Sequence, residues 1–197
     1  MNTTTHILFA EAVFRRKTIG RSGWAAAAGG LLPDAFIGVF LVSAAVQDVS
    51  RDDLWDVEYF KEPWATIGAI SNSFFLWGIL AIGALVGIVA GTSDPVKAKS
   101  KIVAVFAASG LSHVVFDFLT HADDAHQHLW PISDWRFFSP VSYWDPAHNS
   151  HWVMPLEGIL ILACVVVLWR QISSTAMRVV LGLSAGIGVA LIVGSFF

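Results

Sequence analysis

The chain has 197 residues, of which 55% are hydrophobic and only 14% charged, and its mean hydropathy is +0.64. This composition lies outside the usual range of water-soluble domains and predicts an integral membrane protein. The net charge of −3 is too small to indicate a nucleic-acid partner. The single cysteine, Cys164, excludes an intramolecular disulfide and a cysteine-rich metal site. No linker or repeat divides the sequence, so residues 1–197 are predicted to form one domain.

The first apolar stretch, residues 5–15, is too short to cross a membrane. As a helix it would be about 16 Å long, half of a crossing. No positive charge precedes it and Arg-Arg-Lys follows it, so a cleavable signal peptide is not predicted. We expect a short N-terminal half-helix that folds back against the next segment.

Five longer apolar stretches approach or exceed the roughly 20 residues that a helix needs to cross a bilayer. They cover residues 24–46, 64–90, 102–119, 152–169 and 177–197. Tryptophans stand near several of their ends, as is typical of membrane interfaces. The predicted fold class is therefore all-α, a polytopic membrane helix bundle with about five transmembrane helices plus the N-terminal half-helix.

The basic residues are distributed unevenly between the two ends of this predicted bundle. Nine of the 12 lysines and arginines fall at one end and three at the other. Those at the first end are Arg15, Arg16, Lys17, Arg21, Lys97, Lys99, Lys101, Arg170 and Arg178; those at the other are Arg51, Lys61 and Arg136. Because basic residues gather in cytoplasmic loops, we expect residues 47–63 and 121–151 outside the cytoplasm. The expected location is the bacterial inner membrane.

Polar side chains from five segments are predicted to lie at one depth in the membrane. Counting 1.5 Å per residue from the basic connections puts Asp34, His113 and Glu157 at roughly 18–20 Å and His6 at roughly 14 Å. Asn72, counted from the other boundary, reaches the same level. An unpaired charge at this depth costs about 2.5–3.5 kcal/mol. These groups should therefore face each other or a wet cavity, although each taken singly is also explained by an ordinary hydrogen bond.

The segment SHVVFDFLTH places His113 and Asp117 four residues apart, on one face of a helix, and His121 extends that face by a turn. An imidazole nitrogen and a carboxylate oxygen aimed at a common point suit Zn²⁺ or a similar divalent ion. Asp34 follows Pro33, which disturbs the helix and lets the carboxylate leave the helical cylinder. A divalent metal would satisfy several of these groups at once.

The loop over residues 121–151 holds five of the seven histidines. It is too long for a simple connection, and its aromatic and proline content predicts an ordered lid at the membrane surface. A turn can bring His126 or His128 toward His121. For His126, His148 and His151, a solvated loop position explains the histidine at least as well as a ligand role does.

Four motifs follow one another along the chain. They are Thr5-His6, Leu32-Pro33-Asp34, the Ser-His-x3-Asp-x3-His run over residues 112–121, and Leu129-Trp130-Pro131. Together they resemble the integral-membrane metal-dependent hydrolases, a family similar in motif order to the zinc-dependent phospholipase C group. The resemblance covers most of residues 3–145.

The resemblance implies a helical site that hydrolyses a phosphoester or related bond of a lipid-like or small-molecule substrate, with water activated by a divalent metal, Zn²⁺ above all. The implied metal ligands are His6, Asp34, His113, Asp117, His121 and His128. Asp123 or Asp124 would act as the general base. Many members carry a Thr-His-Ser element on the second span where this chain has Ser71-Asn72-Ser73. Asparagine is a poor transition-metal ligand, so a mononuclear or incomplete binuclear site is expected.

Two other classes of function fit the same residues. The chain could be a non-catalytic subunit that keeps the fold and binds a membrane-protein partner. It could also be a small transporter of metal ions or protons, because intramembrane acids and histidines build such relays. The absence of an internal repeat and the small number of spans argue against the transporter.

Overall fold

The computed structural model describes residues 1–196, with the backbone alone at Arg51 and Asp52, and helices are the only regular secondary structure in this range. The predicted all-α bundle is confirmed. Its helices are α1 (Thr3–Phe14), α2 (Ser22–Leu31), α3 (Ala35–Val46), α4 (Arg51–Asp56), α5 (Trp64–Ser71), α6 (Phe74–Ala90), α7 (Asp94–Thr120), α8 (Ser150–Trp169) and α9 (Thr175–Gly194).

Five stretches are long and apolar enough to cross a bilayer, so the chain is an integral membrane protein. They are Ser22–Val46, Trp64–Ala90, Asp94–Thr120, Ser150–Trp169 and Thr175–Gly194. Four of the predicted starts agree within two residues. The third span begins eight residues earlier than predicted. Helix α7 starts before the apolar stretch, with polar N-terminal turns that Asp94 and Pro95 open. The predicted end of the fifth span, Phe197, lies outside the described residues.

Two of the spans are interrupted, and both breaks matter for the site. The first span is α2 and α3 joined by a 3-10 turn over Leu32–Asp34, with Pro33 inside the turn. The second is α5 and α6, which meet at Asn72 and Ser73. Ser73 restarts the helix by accepting a hydrogen bond from the backbone N–H of Leu76 at 3.2 Å, which is an ordinary N-terminal cap.

Helix α2, with the sequence SGWAAAAGGL, lies between α1 and α7 at backbone contact. A Cβ atom on Gly29 would stand 2.3 Å from the carbonyl oxygen of Phe106 on α7. A Cβ atom on Gly30 would stand 2.8 Å from the carbonyl oxygen of His6 on α1. Only glycine permits both approaches. The small-residue run therefore draws α1 and α7 together, and with them His6 and His113.

The bundle has two chemically different ends. At the basic end, residues 15–21 lie beside the first turns of α7 and beside the connection from α8 to α9. At the opposite end, which we name the site end, residues 1–3 lie beside residues 55–60 and the loop from α7 to α8. The half-helix α1 runs from the site end toward the basic end and packs on α2, α7 and α8.

The loop from α7 to α8 folds over the site end and is held by hydrogen bonds to the backbone. Ser139 N–H donates to the carbonyl of His121 at 3.0 Å, and Tyr143 N–H donates to that of Thr120 at 3.2 Å. The loop also reaches the break in the second span, where Phe74 N–H donates to the carbonyl of His128 at 2.9 Å. These bonds fix the loop histidines in relation to the spans.

Candidate metal centre

The buried carboxylate of Asp117, in the last turns of α7, is the centre of the polar cluster. The Nε2 atoms of His6 and His121 lie 2.9 Å and 3.4 Å from its Oδ1 atom, and Nε2 of His113 lies 2.9 Å from its Oδ2 atom. The α-amino group of Met1 also donates to Oδ1, at 2.9 Å. Three imidazoles from two helices and a helix end thus converge on one carboxylate.

His6 and His113 are held as a stacked pair, with ring centroids 3.6 Å apart and planes 12° from parallel. Nδ1 of His113 lies 2.7 Å from the carbonyl oxygen of Gly30. Because a carbonyl can only accept, Nδ1 donates this hydrogen bond, and the bond fixes the ring with Nε2 pointing into the cluster. Outer hydrogen bonds of this kind orient metal-binding histidines.

Asp34 reaches the cluster because the 3-10 turn at Pro33 moves it off the line of α2. Its Oδ1 atom lies 3.3 Å from Nε2 of His113. Its Oδ2 atom accepts a hydrogen bond from Thr3 Oγ1 at 2.5 Å. Asp34 therefore adjoins the histidine pair while the start of α1 orients it.

Two buried groups of side chains have the geometry to hold a metal ion, and they share Asp117. One group is His6, His113 and Asp117; the other is Asp117, His121 and His126. Within each group the candidate ligand atoms all lie within 4.8 Å of one another. Three protein ligands of nitrogen and oxygen, with a position left open, are the pattern of catalytic zinc sites. The residues present therefore fit the divalent ion that the sequence predicted.

The two candidate general bases lie in different surroundings. Asp124 is partly buried, with Oδ2 2.9 Å from Nδ1 of His121 and accepting from the indole of Trp144 at 3.0 Å. Asp123 is exposed, and its carboxylate belongs to a surface group with Asp145 and His148. Only Asp124 contacts a histidine of the buried cluster.

The loop histidines differ in protonation. Burial and the nearby His121 lower the pKa of His126 to about 3, and burial lowers the pKa of His128 to about 4. Both imidazoles are therefore neutral at pH 7, as a metal ligand must be. Burial also lowers the pKa of His121, but Asp117 and Asp124 outweigh it and raise that pKa to about 9. A metal ion at His121 must displace this proton.

His126 was not among the predicted ligands, whereas the structure places it in the second group. The turn over residues 122–125, closed by a hydrogen bond from Ala125 N–H to the Ala122 carbonyl at 3.2 Å, brings it back toward His121. The Asp123-Asp124 pair was a turn signal for this reversal.

The predicted ligand His128 is in neither group. Its Nδ1 atom lies 3.0 Å from the carbonyl of His126, and its ring lies 5.3 Å from those of Phe74 and Phe118. His151 is exposed at the start of α8.

Asn72, which stands where the resemblance expected a histidine, is also outside both groups. Its amide donates to the carbonyl of Gly68 at 3.2 Å and to Ser71 Oγ at 3.3 Å. The neighbouring Ser73 hydroxyl donates to the carbonyl of Trp130 at 2.5 Å. Asn72 thus ends α5, and Ser73 bonds the break between α5 and α6 to the loop from α7 to α8.

Glu157, the fifth residue of the predicted layer, anchors α1. Its Oε1 atom accepts from the backbone N–H of Asn2 at 2.7 Å, from the Asn2 amide at 3.1 Å and from Thr5 Oγ1 at 2.5 Å. Glu157 therefore holds α8 to the helix that carries His6.

A cavity of about 380 Å³ leads from the site end down to the cluster. At its base it touches Asp34, His121, Asp124 and His126. Its upper wall is aromatic, with Trp55, Tyr59, Phe60, Tyr143 and Trp144. This is the shape and lining of a small-molecule site, apolar walls with a few convergent polar groups.

Comparisons of the chain with models of known protein families, with curated proteins and with solved structures give no match. The likeness to the integral-membrane metal-dependent hydrolases accordingly stays a prediction from the motifs.

Proposed function

We propose that this protein is a membrane-embedded, metal-dependent hydrolase that cleaves a phosphoester or related bond of a lipid-like substrate. The observation that carries the proposal is the convergence of His6, His113 and His121 on the carboxylate of Asp117, beside a cavity at the site end that His121 lines. A cluster of this composition buried in a membrane protein favours a functional site.

The proposed ligands are His6, His113 and Asp117 for one divalent ion, with Asp34 beside them, and Asp117, His121 and His126 for a second. Zn²⁺ suits the imidazole and carboxylate donors. Bound in such a site, a divalent ion polarises the scissile group and supplies a nucleophile near neutral pH. No serine or cysteine nucleophile is then required.

Asp124 is the proposed proton acceptor. Its Oδ2 atom is engaged by His121 and Trp144, whereas its buried Oδ1 atom has no hydrogen-bond partner among the described residues. That oxygen is free to accept a proton from water, and the residue lines the cavity. Asp123, the other residue predicted for this role, lines the rim of the same cavity.

The cavity's aromatic rim and its place at a membrane boundary favour an amphiphilic substrate. Nine basic residues against three favour a cytoplasmic basic end, so the proposed site opens toward the extracytoplasmic side. The bacterial inner membrane is the proposed location.

The test is hydrolysis of fluorogenic phosphoester lipids by the zinc-loaded protein in detergent, with Asp124→Asn as the variant. We expect activity to fall by about 100-fold or more, in the range of general-base losses, at unchanged metal content. Asp134→Asn, an exposed loop carboxylate, is the matched control and should retain activity. Equal rates in all three proteins would remove the proposal.

Metal uptake by proteoliposomes would instead favour a transporter, and a stable co-purifying protein would favour a non-catalytic subunit.

A further inference from the structure

A groove of about 560 Å³ opens beside the half-helix α1, at the basic end and therefore at the opposite end from the cavity over Asp117. Its walls are apolar and come from four helices and one connection. They include Leu8 of α1, Ala27 of α2, Leu168 of α8, Ile172, and Val180 and Leu181 of α9. The groove is thus built between helices that cross the membrane.

The end of this groove is lined by four basic residues, Arg15, Arg16, Lys17 and Arg21. The one acidic residue in the lining, Glu11, already pairs with Arg15 at 3.2 Å. The guanidinium of Arg16 donates only to backbone carbonyls, those of Val13 and Arg15. In the part of the chain that the structure describes, only Arg15 of the four has a carboxylate within 4.0 Å. Most of this positive charge is therefore uncompensated.

A second cavity of about 540 Å³ lies on the other side of the same turn and adds Lys97 and Lys101, with Asp94, to the basic surface. Arg21 lines both cavities. Its backbone has a φ of 62°, in the left-handed region that glycine prefers. The turn thus keeps a cation between the two cavities where a glycine would fit the backbone better.

We propose that the groove binds one phospholipid with an anionic headgroup. The spans begin at Ser22, end at Trp169 and begin again at Thr175, so the basic rim lies at headgroup level and the apolar walls lie at the level of the acyl chains. Guanidinium groups bind phosphate oxygens in pairs, and an acyl chain fits the walls. An anionic lipid supplies both parts in one molecule, whereas a free anion would leave the groove walls empty.

The proposal is independent of the hydrolase activity, because the groove and the metal centre share no residue. The bound lipid would pack against Ile7 and Leu8, next to His6 on α1. It would therefore stabilise the half-helix from the end opposite to Glu157.

The test is native mass spectrometry of the full chain in detergent, titrated with phosphatidylglycerol or with phosphatidylcholine of the same acyl chains. We expect at least tenfold tighter retention of phosphatidylglycerol. Each basic residue near an anionic lipid is worth about a fivefold change in affinity. The double variant Arg16→Gln/Lys17→Gln should therefore bind phosphatidylglycerol about 25-fold more weakly. The matched control is Lys99→Gln/Arg170→Gln, which removes two exposed charges of the same end that line neither cavity; its affinity should change less than threefold.

Equal retention of the two lipids, or equal losses in the two double variants, would overturn the proposal. Displacement of the lipid by millimolar inorganic phosphate would also overturn it, in favour of a free-anion site. A second variant, Ala27→Phe, fills the groove and keeps every charge. It should retain at least tenfold less phosphatidylglycerol, and unchanged retention would contradict the acyl-chain position. If Arg16→Gln/Lys17→Gln does not fold, Ala27→Phe alone tests whether the groove binds the lipid.

Discussion

Asp117 is the residue on which the candidate centre depends. Its two oxygens contact Nε2 atoms of His6, His113 and His121, and it belongs to both of the buried groups that can hold a metal. A carboxylate with this many nitrogen neighbours is placed to bridge the two ions that we propose.

Replacing Asp117 with Asn should lower zinc affinity by at least about 100-fold, because both proposed ions lose a charged ligand; removing even an outer partner of a ligand costs 10–100-fold. The measurement is zinc competition against a chelating dye in detergent. Asp134→Asn changes an exposed loop carboxylate and should bind zinc like the unmodified protein. Equal zinc affinity in both variants would show that Asp117 holds no ion.

His126 and His128 offer a second comparison, since only His126 lies in a group that can hold a metal. His126→Ala should reduce the bound zinc by one ion per chain and leave the ion at His6, His113 and Asp117. His128→Ala should keep the full complement. Metal analysis of the two purified variants shows which of the two histidines binds an ion. Loss of an ion in His128→Ala but not in His126→Ala would support His128, the ligand predicted from the sequence.

Some of these residues could be predicted and others could not, for a physical reason. His113, Asp117 and His121 follow from helical spacing, because residues four apart share a face. His126 depends on a turn in a loop, where no periodicity constrains the side chain. Asp34 was predicted from its depth and from the resemblance, but its contact with His113, and that of Gly30, depend on how closely α1, α2 and α7 approach one another. Spacing along the chain does not specify this.

The half-helix α1 carries His6 without crossing the membrane, so its attachment to the spans determines where His6 lies. Glu157 on α8 supplies three hydrogen bonds to its first turn. Packing of Leu8 against Ile161 and Leu168 adds an apolar contact on the same side.

Glu157→Ala should destabilise the protein by about 2–4 kcal/mol, since hydrogen bonds to a charged group contribute about 1.5–3 kcal/mol each and are not additive. It should also weaken zinc binding, because His6 loses its support. Glu157→Gln keeps an acceptor oxygen and should recover most of both losses. Thermal unfolding and zinc titration are the measurements, with Glu11→Ala, at the far end of α1, as the control. Zinc affinity that is unchanged in Glu157→Ala would show that α1 is placed by other contacts.

Helices α8 and α9 pack at backbone distance through Gly158 and Gly188. A Cβ atom on Gly158 would stand 2.5 Å from the carbonyl oxygen of Gly188 and 2.7 Å from Cγ1 of Ile192. Gly158→Ala should therefore cost about 1–3 kcal/mol of stability. Gly182→Ala, which meets nothing within 4 Å, should be neutral or stabilise the helix by up to about 1 kcal/mol. Similar unfolding temperatures for the two variants would contradict the close packing.

The helices themselves were largely predictable, because length and hydropathy define a membrane span. Their interruptions were less so. Pro33 indicated the break after α2, but nothing in the composition of AISNSFFLWG required the second span to end one helix at Ser71 and start another at Phe74. That break depends on Ser73 and Phe74 bonding to the loop near His128 and Trp130.

The two ends of the bundle carry opposite chemistry, with carboxylates and histidines at one and lysines and arginines at the other. Of the five residues predicted to lie in one polar layer, His6, Asp34 and His113 belong to the cluster around Asp117, whereas Glu157 and Asn72 have other partners. Depth along a helix can be counted from the sequence, but the direction in which each side chain points depends on packing.

Anomalous diffraction from crystals of the zinc-loaded protein, recorded on both sides of the zinc absorption edge, tests the central claim most directly. The account predicts a peak among His6, His113 and Asp117, a second one between Asp117, His121 and His126, and loss of both in Asp117→Asn. Crystals with intact Asp117 and no anomalous peak near it would contradict the account, and would leave the cluster as a hydrogen-bonded network.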